Sequence, residues 1–392
     1  MKVLACTMEP FYLDKDNAYS HKSSLAFIQG MFGKDNVSVV AQQTYNMIGA
    51  SSASAICAVD KIEILPSYSS TKEFIFKCVR SPLFYKNWKK SSNLILDKHI
   101  GKPVWVRNPT IGSVLFSLLA LERGFKVYNH MCANILDGWK NDKYNFFEKA
   151  FGFFISLMLK KMLVKISENS NTINLCTGNV LYDFCKAYNS NTYQFVDSTI
   201  KPRSPSFISI NDTDTQLNLL FIGRVQQDKG IHNLCYVINK LKKDGKNIHL
   251  DIIGSGSALI SLREKYIKSD CINFLGQIKN NKLESYIHSC HAIVVPSEND
   301  YEGFPRVIME SWAIGKPVIV ADAGGVKAFV KHEINGLLFP SGNNRALESE
   351  VNKLFDFQFY NELCKSTRKM RSISSQEYWV FETQKSLGIN QL

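Results

Sequence analysis

At 392 residues, with 45% hydrophobic and 21% charged side chains, the chain has the composition of a globular enzyme of two ordinary domains. Its net charge of +12 is uneven: residues 1–205 carry 25 Lys and Arg against 15 Asp and Glu, residues 206–392 carry 22 against 20, so the first half is the one that meets something acidic. No apolar run reaches the roughly 18 residues of a transmembrane helix, and ten scattered cysteines without a C-x-x-C pair exclude a zinc ribbon or disulfide framework and point to a reduced, cytoplasmic setting.

In chain order, the start MKVLACTMEP reads as a strand, with an apolar run too short for a signal peptide. Further strands are expected at residues 37–41, 94–96, 104–107, 126–128 and 173–176, and helices at 23–32, 111–123, 146–166 and 180–187. Residues 198–215, with two prolines and many Ser, Thr and Asp, read as a linker. The second half alternates more cleanly. Strands are expected at 217–223, 248–254, 272–275, 292–296 and 317–321, with helices at 230–243, 258–267, 281–290 and 305–314 between them. Apolar strands alternating with helices of this length predict βαβ units and parallel sheets covered on both faces. The expected architecture is α/β: two doubly wound, Rossmann-like domains (1–205 and 206–375) facing across a cleft, with a last helix at 376–392 packing back toward the first. Ligands in such sheets bind at the carboxyl ends of the strands.

The richest segment runs from 297 to 325, SENDYEGFPRVIMESWAIGKPVIVADAGG. It places Glu302 in a loop headed by Gly303, Phe304 and Pro305, and Glu310 eight positions on, inside an apolar helix. Glu310 is flanked by Val307, Ile308, Met309, Trp312 and Ala313, and a carboxylate buried there needs donors, which a ribose diol supplies. A helix mouth that can hold an anion, beside two acids that can hold hydroxyls, suits a nucleotide sugar. Upstream, Gly223 and Arg224 end a strand, and Lys229 and Gly230 open the next helix. Two cations across a strand-to-helix loop suit a diphosphate, and a departing one better still.

These residues resemble the retaining glycosyltransferases of family 4, of GT-B fold and of the type that builds bacterial surface polysaccharides. The resemblance is carried by Gly223 and Arg224 with Lys229 and Gly230, by Glu302 through Glu310, by Gly315, Lys316, Pro317 and Val318, by Gly324 and Gly325, and by Asn335 through Phe339, nearly all of residues 217–342. It implies that Arg224 and Lys229 bind the donor diphosphate, that Glu302 contacts the donor sugar, and that Glu310 holds the ribose. It also implies that the loop of Gly303, Phe304, Pro305, Arg306 and Val307 cradles phosphate and sugar, with Gly254 and Ile278 near the base. On the acceptor side it points to His130, after the strand at 126–128, with Arg107 similarly placed. Two features depart from the family: Lys327 and Ala328 stand where an acid often follows the glycine pair, and no glycine occurs from Met8 to Ala18.

The implied activity is retaining transfer of a sugar from a nucleoside diphosphate sugar to an acceptor hydroxyl, with no metal or other cofactor. A catalytically silent nucleotide-sugar-binding protein and an epimerase of the same fold are the alternatives. The D-x-D pairs at Asp14/Asp16 and Asp212/Asp214 match a metal-binding pattern of other transferases but are weak alone. Residues 72–90, KEFIFKCVRSPLFYKNWKK, interleave six cations with five aromatic residues against one acid. That pattern suits peripheral contact with an anionic membrane at its cytoplasmic face, and hence a saccharide or lipid-linked acceptor, rather than nucleic acid.

Overall fold

The computed structural model describes the chain apart from residues 14, 21–23, 45–54, 136–137, 141–144, 206–215 and 390–392, and apart from the side chains of residues 140, 280 and 281. The Asp14 and Asp212/Asp214 carboxylates and most of the expected linker lie outside the described residues. The chain divides into two compact units, one of residues 1–199 with 379–392, the other of residues 200–378.

Among the described residues the first unit has nine strands: β1 (Val3–Leu13), β2 (Asn17–Ser20), β3 (Val37–Thr44), β4 (Ala55–Ala58), β5 (Ile62–Leu65), β6 (Val104–Asn108), β7 (Val127–Met131), β8 (Thr172–Cys176) and β9 (Thr192–Gln194). The order β5-β3-β1-β6-β7-β8-β9 is parallel throughout, and β2 and β4 extend the far end of β1 as antiparallel strands. Period-two alternation sorts the side chains to two faces. Leu4, Cys6, Val104 and Val106 join a core with Trp88, Val114, Phe116, Leu159 and Leu163 from three helices. Trp105 points the other way, within 6.3 Å of Phe27 and Phe32 of the Ser24–Phe32 helix.

The strand expected at 94–96 is instead the last turn of the helix Pro82–Lys98. Ile95 and Leu96 are buried but Leu94 is exposed, which is the signature of a helix face and not of a strand buried on both sides. The stretch without glycine continues β1 to Leu13 and returns as β2, with Met8 in a left-handed conformation where the register shifts. From the terminal helix Gln376–Leu387, Gln384 donates to the Met31 carbonyl at 2.9 Å.

Among the described residues the second unit has six parallel strands in the order β12-β11-β10-β13-β14-β15: β10 (Leu217–Ile222), β11 (Ile248–Ile253), β12 (Ile272–Gly276), β13 (Ala292–Val295), β14 (Val318–Asp322) and β15 (Leu337–Pro340). Leu219, Phe221, Leu250, Ile252, Val294 and Ile319 face a core closed by the helices Ile231–Lys243, Asn344–Lys353 and Phe357–Thr367. Their neighbours Leu220, Ile293, Val318 and Val320 are also buried, so both faces are covered and the unit is doubly wound.

Candidate active site

β10 and β13 lie side by side, yet the chain leaves β10 toward β11 and reaches β13 only after β12. The loops at their carboxyl ends therefore run in opposite directions, which opens the crevice where doubly wound sheets hold ligands. A cavity of about 190 Å³ lies there, lined by residues that include Gly223, Arg224, Lys229, Ser297, Glu302, Pro305, Arg306 and Val307. Seven residues expected from sequence to meet a donor thus share one wall-to-wall space.

The loop after β10 explains how they meet. Gly223 donates to the Ile253 carbonyl at 3.0 Å and Val225 to that of Ser255 at 2.9 Å, so the chain stays laddered to β11 before a short turn at Gln227–Lys229. Gly230 then starts the helix Ile231–Lys243 with φ +65°. A Cβ on Gly230 would stand 1.9 Å from the Pro296 carbonyl oxygen, so only glycine lets this loop touch the end of β13. That approach carries Lys229, only 8% exposed, to Glu302, and the two side chains form an ion pair. The second oxygen of Glu302 accepts from Ser297 Oγ at 3.2 Å, and its amide donates to Asn299 Oδ1 at 3.2 Å.

Asp228 fastens the two loops together. It accepts from the Tyr301 hydroxyl and from Asn299 Nδ2 at 3.4 Å, while its carbonyl accepts from the Glu298 amide at 3.0 Å. Burial, and then the neighbouring Asp228 carboxylate, push the Tyr301 phenol well above its ordinary range, against the opposing pull of Arg224. Arg224 is exposed at the cavity rim, beside the Tyr301 hydroxyl. Asp228, Tyr301, Ser297 and Asn299 were not singled out from sequence. Their signal was adjacency, since each stands within five positions of Lys229 or Glu302.

Gly303 and Phe304 are buried, and the Phe304 ring packs against Trp312 and Phe329 at 6.1 and 5.2 Å between centroids. Any ligand contact from Phe304 is therefore through its backbone. The helix Arg306–Ile314 begins immediately after, with Pro305 as its N-cap, and its first turn forms one side of the cavity, where backbone N–H groups and the helix dipole favour an anion. Glu310 lies one turn further and does not line the cavity. Burial raises its carboxyl above the usual range, opposed by the positive charges of Arg306 and Arg203.

Gly254 and Ile278 follow β11 and β12 along the same carboxyl edge but outside the cavity. A Cβ on Gly254 would fall 1.8 Å from the Gly223 carbonyl oxygen, so its immediate use is the close approach of two backbones.

In the first unit, Arg107 and His130 are register partners on β6 and β7. The expectation that His130 faces a ligand meets a steric obstacle: it is 1% exposed, with the rings of Phe195 and Trp105 at 4.7 and 5.9 Å. In this structure its side chain packs among those rings and does not line the cavity of the second unit. A larger hollow of about 880 Å³ lies at the amino ends of β6 and β7, bounded by Lys102, Pro103, Phe125 and Lys126, and holds none of the expected residues. Among the described residues no group of three or more His, Cys, Asp and Glu could hold a metal ion, and no helix is long and apolar enough to cross a membrane.

Comparison with known proteins finds likeness in the sequence of the second unit and in the fold. Residues 205–371 match the family model described as Glycosyl transferases group 1. The chain is 31% identical over 170 residues to an uncharacterized glycosyltransferase of Methanocaldococcus jannaschii, 41% of this chain and 42% of that one. It is 26% identical over 145 residues to the amylovoran biosynthesis glycosyltransferase AmsK of Erwinia amylovora, 35% of this chain and 36% of that one. The matches span less than half the length of these relatives. Among solved structures, sucrose-phosphate synthase from Thermosynechococcus elongatus has a TM-score of 0.71 at 17% identity, covering 99% of this chain and 98% of its own. HepE of Anabaena, solved in complex with UDP, has a TM-score of 0.68 at 13% identity, covering 99% and 100%. The likeness gives the fold: each unit is one of the two doubly wound halves of a GT-B protein.

Proposed function

We propose that the chain is a glycosyltransferase that moves a sugar from a nucleoside diphosphate sugar to an acceptor hydroxyl, with retention of configuration, in the assembly of a surface polysaccharide on a lipid-linked acceptor. One observation carries the reading: Arg224 and Lys229 converge with Glu302 and the first turn of the Arg306–Ile314 helix on a single cavity at the switch point between β10 and β13. HepE, which shares the fold, was solved with UDP and with UDP-glucose, and AmsK is named an amylovoran biosynthesis glycosyltransferase; both support the choice of donor and of reaction class.

In this reading the diphosphate lies against the helix mouth, with Arg224 reaching it from the rim and Lys229 from the interior. As the bond from the anomeric carbon to the phosphate oxygen breaks, charge collects on the leaving diphosphate, where preorganised cations are most effective. The acceptor oxygen bonds to the anomeric carbon from the same face, and its proton passes to the leaving phosphate oxygen. Glu302 has two tasks: it holds Lys229 in place before the donor arrives and then accepts hydrogen bonds from sugar hydroxyls. Glu310 takes the ribose, and the backbone amides at 304–307 take phosphate and sugar oxygens. His130, walled off by aromatic rings, is assigned no proton transfer. The test is a panel of nucleotide sugars screened by thermal shift, in which a bound donor at a hundredfold excess over its Kd adds about 2.7 kcal/mol of stability. The leading donor is then assayed for transfer. The reading fails if no nucleotide sugar raises Tm, or if Arg224→Ala shifts as much as the parent.

A further inference from the structure

The helix Phe146–Glu168 has two unlike sides. Ser156, Leu159, Leu163 and Ile166 form its buried stripe, spaced three and four residues apart. Around the rest of its first three turns stand Phe146, Phe147, Phe151, Phe154, Leu157 and Met158, all exposed, with Phe146 at 79%, Phe147 at 81% and Phe154 at 68%. This apolar surface is about 20 Å long at 1.5 Å per residue. Where it stops, three exposed lysines begin, Lys160, Lys161 and Lys165. Six contiguous large apolar side chains facing water are not the scattered singles of an ordinary surface.

A second patch adjoins the first. Lys72, on the helix Thr71–Arg80, pairs with Glu148 at 3.2 Å and so ties that helix to the start of the aromatic one. Phe76, Val79 and Leu83 are exposed there, Val79 to 78%, and a concavity of about 700 Å³ between this helix and Pro82–Lys98 is lined by Phe76, Lys77, Arg80 and Leu83. Residues 71–98 hold seven Lys and Arg against two acids.

We propose that these two patches are one docking surface, by which the first unit lies on an anionic lipid bilayer with the Phe146–Glu168 helix seated in the headgroup region. Charge chooses the occupant. A second copy of the chain would bring the same cations against themselves. A nucleic acid would satisfy the lysines but offers nothing to Leu157, Met158, Val79 and Leu83, which stack on no base. An anionic bilayer takes both components, the aromatic and aliphatic groups at the acyl boundary and the cations among the headgroups. The inference goes beyond the transfer reaction and does not depend on it, although the surface would hold the chain where a lipid-linked acceptor resides.

The experiment is co-sedimentation of the full chain with phosphatidylcholine vesicles, with and without phosphatidylglycerol. Binding should require phosphatidylglycerol and weaken with salt. The variant Phe147→Ser/Phe151→Ser/Phe154→Ser should bind at least about tenfold more weakly, and Lys160→Gln/Lys161→Gln/Lys165→Gln about fivefold or more, with a shallower salt dependence. All six side chains are exposed, so circular dichroism and the Tm shift given by a nucleotide sugar should stay at parental values in both. Those controls separate failure of docking from failure of the donor site. The proposal is overturned if neutral vesicles bind equally, or if the aromatic variant binds as tightly as the parent. It is also overturned if the parent is a dimer that the aromatic variant dissociates and no vesicle takes it up.

Discussion

The two units place comparable strands in comparable positions and do different things with their carboxyl ends. In the second, the loops after β10 and β13 carry a guanidinium, an ammonium and a carboxylate into one 190 Å³ cavity, and a network through Asp228, Tyr301 and Asn299 holds them there. In the first, strand β7 carries His130, which packs against aromatic rings. Polar chemistry in the first unit has moved outward, to cationic helices beside exposed phenylalanines. A doubly wound sheet supplies a place for a site; the residues of the flanking loops decide whether the place is open.

The largest effect that could break this contrast is loss of the cations. Arg224→Ala and Lys229→Ala should each lower kcat/KM for transfer by about 10²–10³, some 3–4 kcal/mol of lost transition-state stabilisation. Arg224 is exposed, so its removal should leave Tm unchanged. Lys229→Ala leaves Glu302 without its ion-pair partner and should cost some stability as well. Steady-state kinetics beside thermal melts would show this, and near-parental kcat/KM in both variants would remove the second unit from the chemistry.

Next comes the contact that brings the loops together. Gly230→Ala puts a methyl group against the Pro296 carbonyl and asks alanine to adopt φ +65°. The loops after β10 and β13 should separate, with transfer falling about 10–100-fold and stability by about 1–3 kcal/mol. A lysine and a glutamate that still acted together in this variant would show that their meeting does not depend on the backbone approach.

In the first unit the expected effect on chemistry is smaller and the effect on packing larger. His130→Ala should change kcat by less than about tenfold while lowering stability by about 2–4 kcal/mol, because it leaves a hole between Trp105 and Phe195. A large fall in kcat at unchanged Tm, with a shifted pH profile, would restore His130 to the reaction and erase the contrast between the units.

The second unit was far more legible in sequence than the first, for physical reasons. Its strands are buried on both faces and stand as short apolar runs between glycine-punctuated loops, so β10, β11 and β13 show in outline. Its site residues are charged types next to glycines, at positions where a charge has little structural use. The first unit broke those rules. Leu94, Ile95 and Leu96 form an apolar run inside a helix, and a run of that length has no period to tell strand from helix. β2 turns back along β1 after a connection without glycine, and β4 then pairs with it, so no turn signal announced the antiparallel extension. His130 was a polar residue at the right strand end, and only the enclosing rings, contributed by Trp105 and by the distant Phe195, show that it is shut in. Asp228 was hidden for the opposite reason, as one acid beside a lysine whose partners lie some 70 positions along the chain.

Glu310 gives the finest test of the comparison, because it is a half-buried acid that sits beside the open cavity and not in it. Burial disfavours its ionised form, so in the free protein its carboxyl keeps a proton to a higher pH than an exposed glutamate would. Ribose hydroxyls donating to that carboxyl favour the ionised form and lower its pKa. Donor binding should therefore release a fraction of a proton, most near the pKa of the free protein and none well above it, where the group is already ionised. A nucleotide sugar suits the measurement, since its diphosphate has no proton to lose near neutrality. Titration calorimetry in two buffers of different ionisation heat should show a buffer-dependent enthalpy that Glu310→Gln abolishes, with affinity falling about tenfold as one charge-assisted hydrogen bond weakens. Proton uptake in place of release would mean that Glu310 becomes more buried on binding and meets no donor hydroxyl. The second unit's site would then end at the cavity wall formed by Arg306 and Val307.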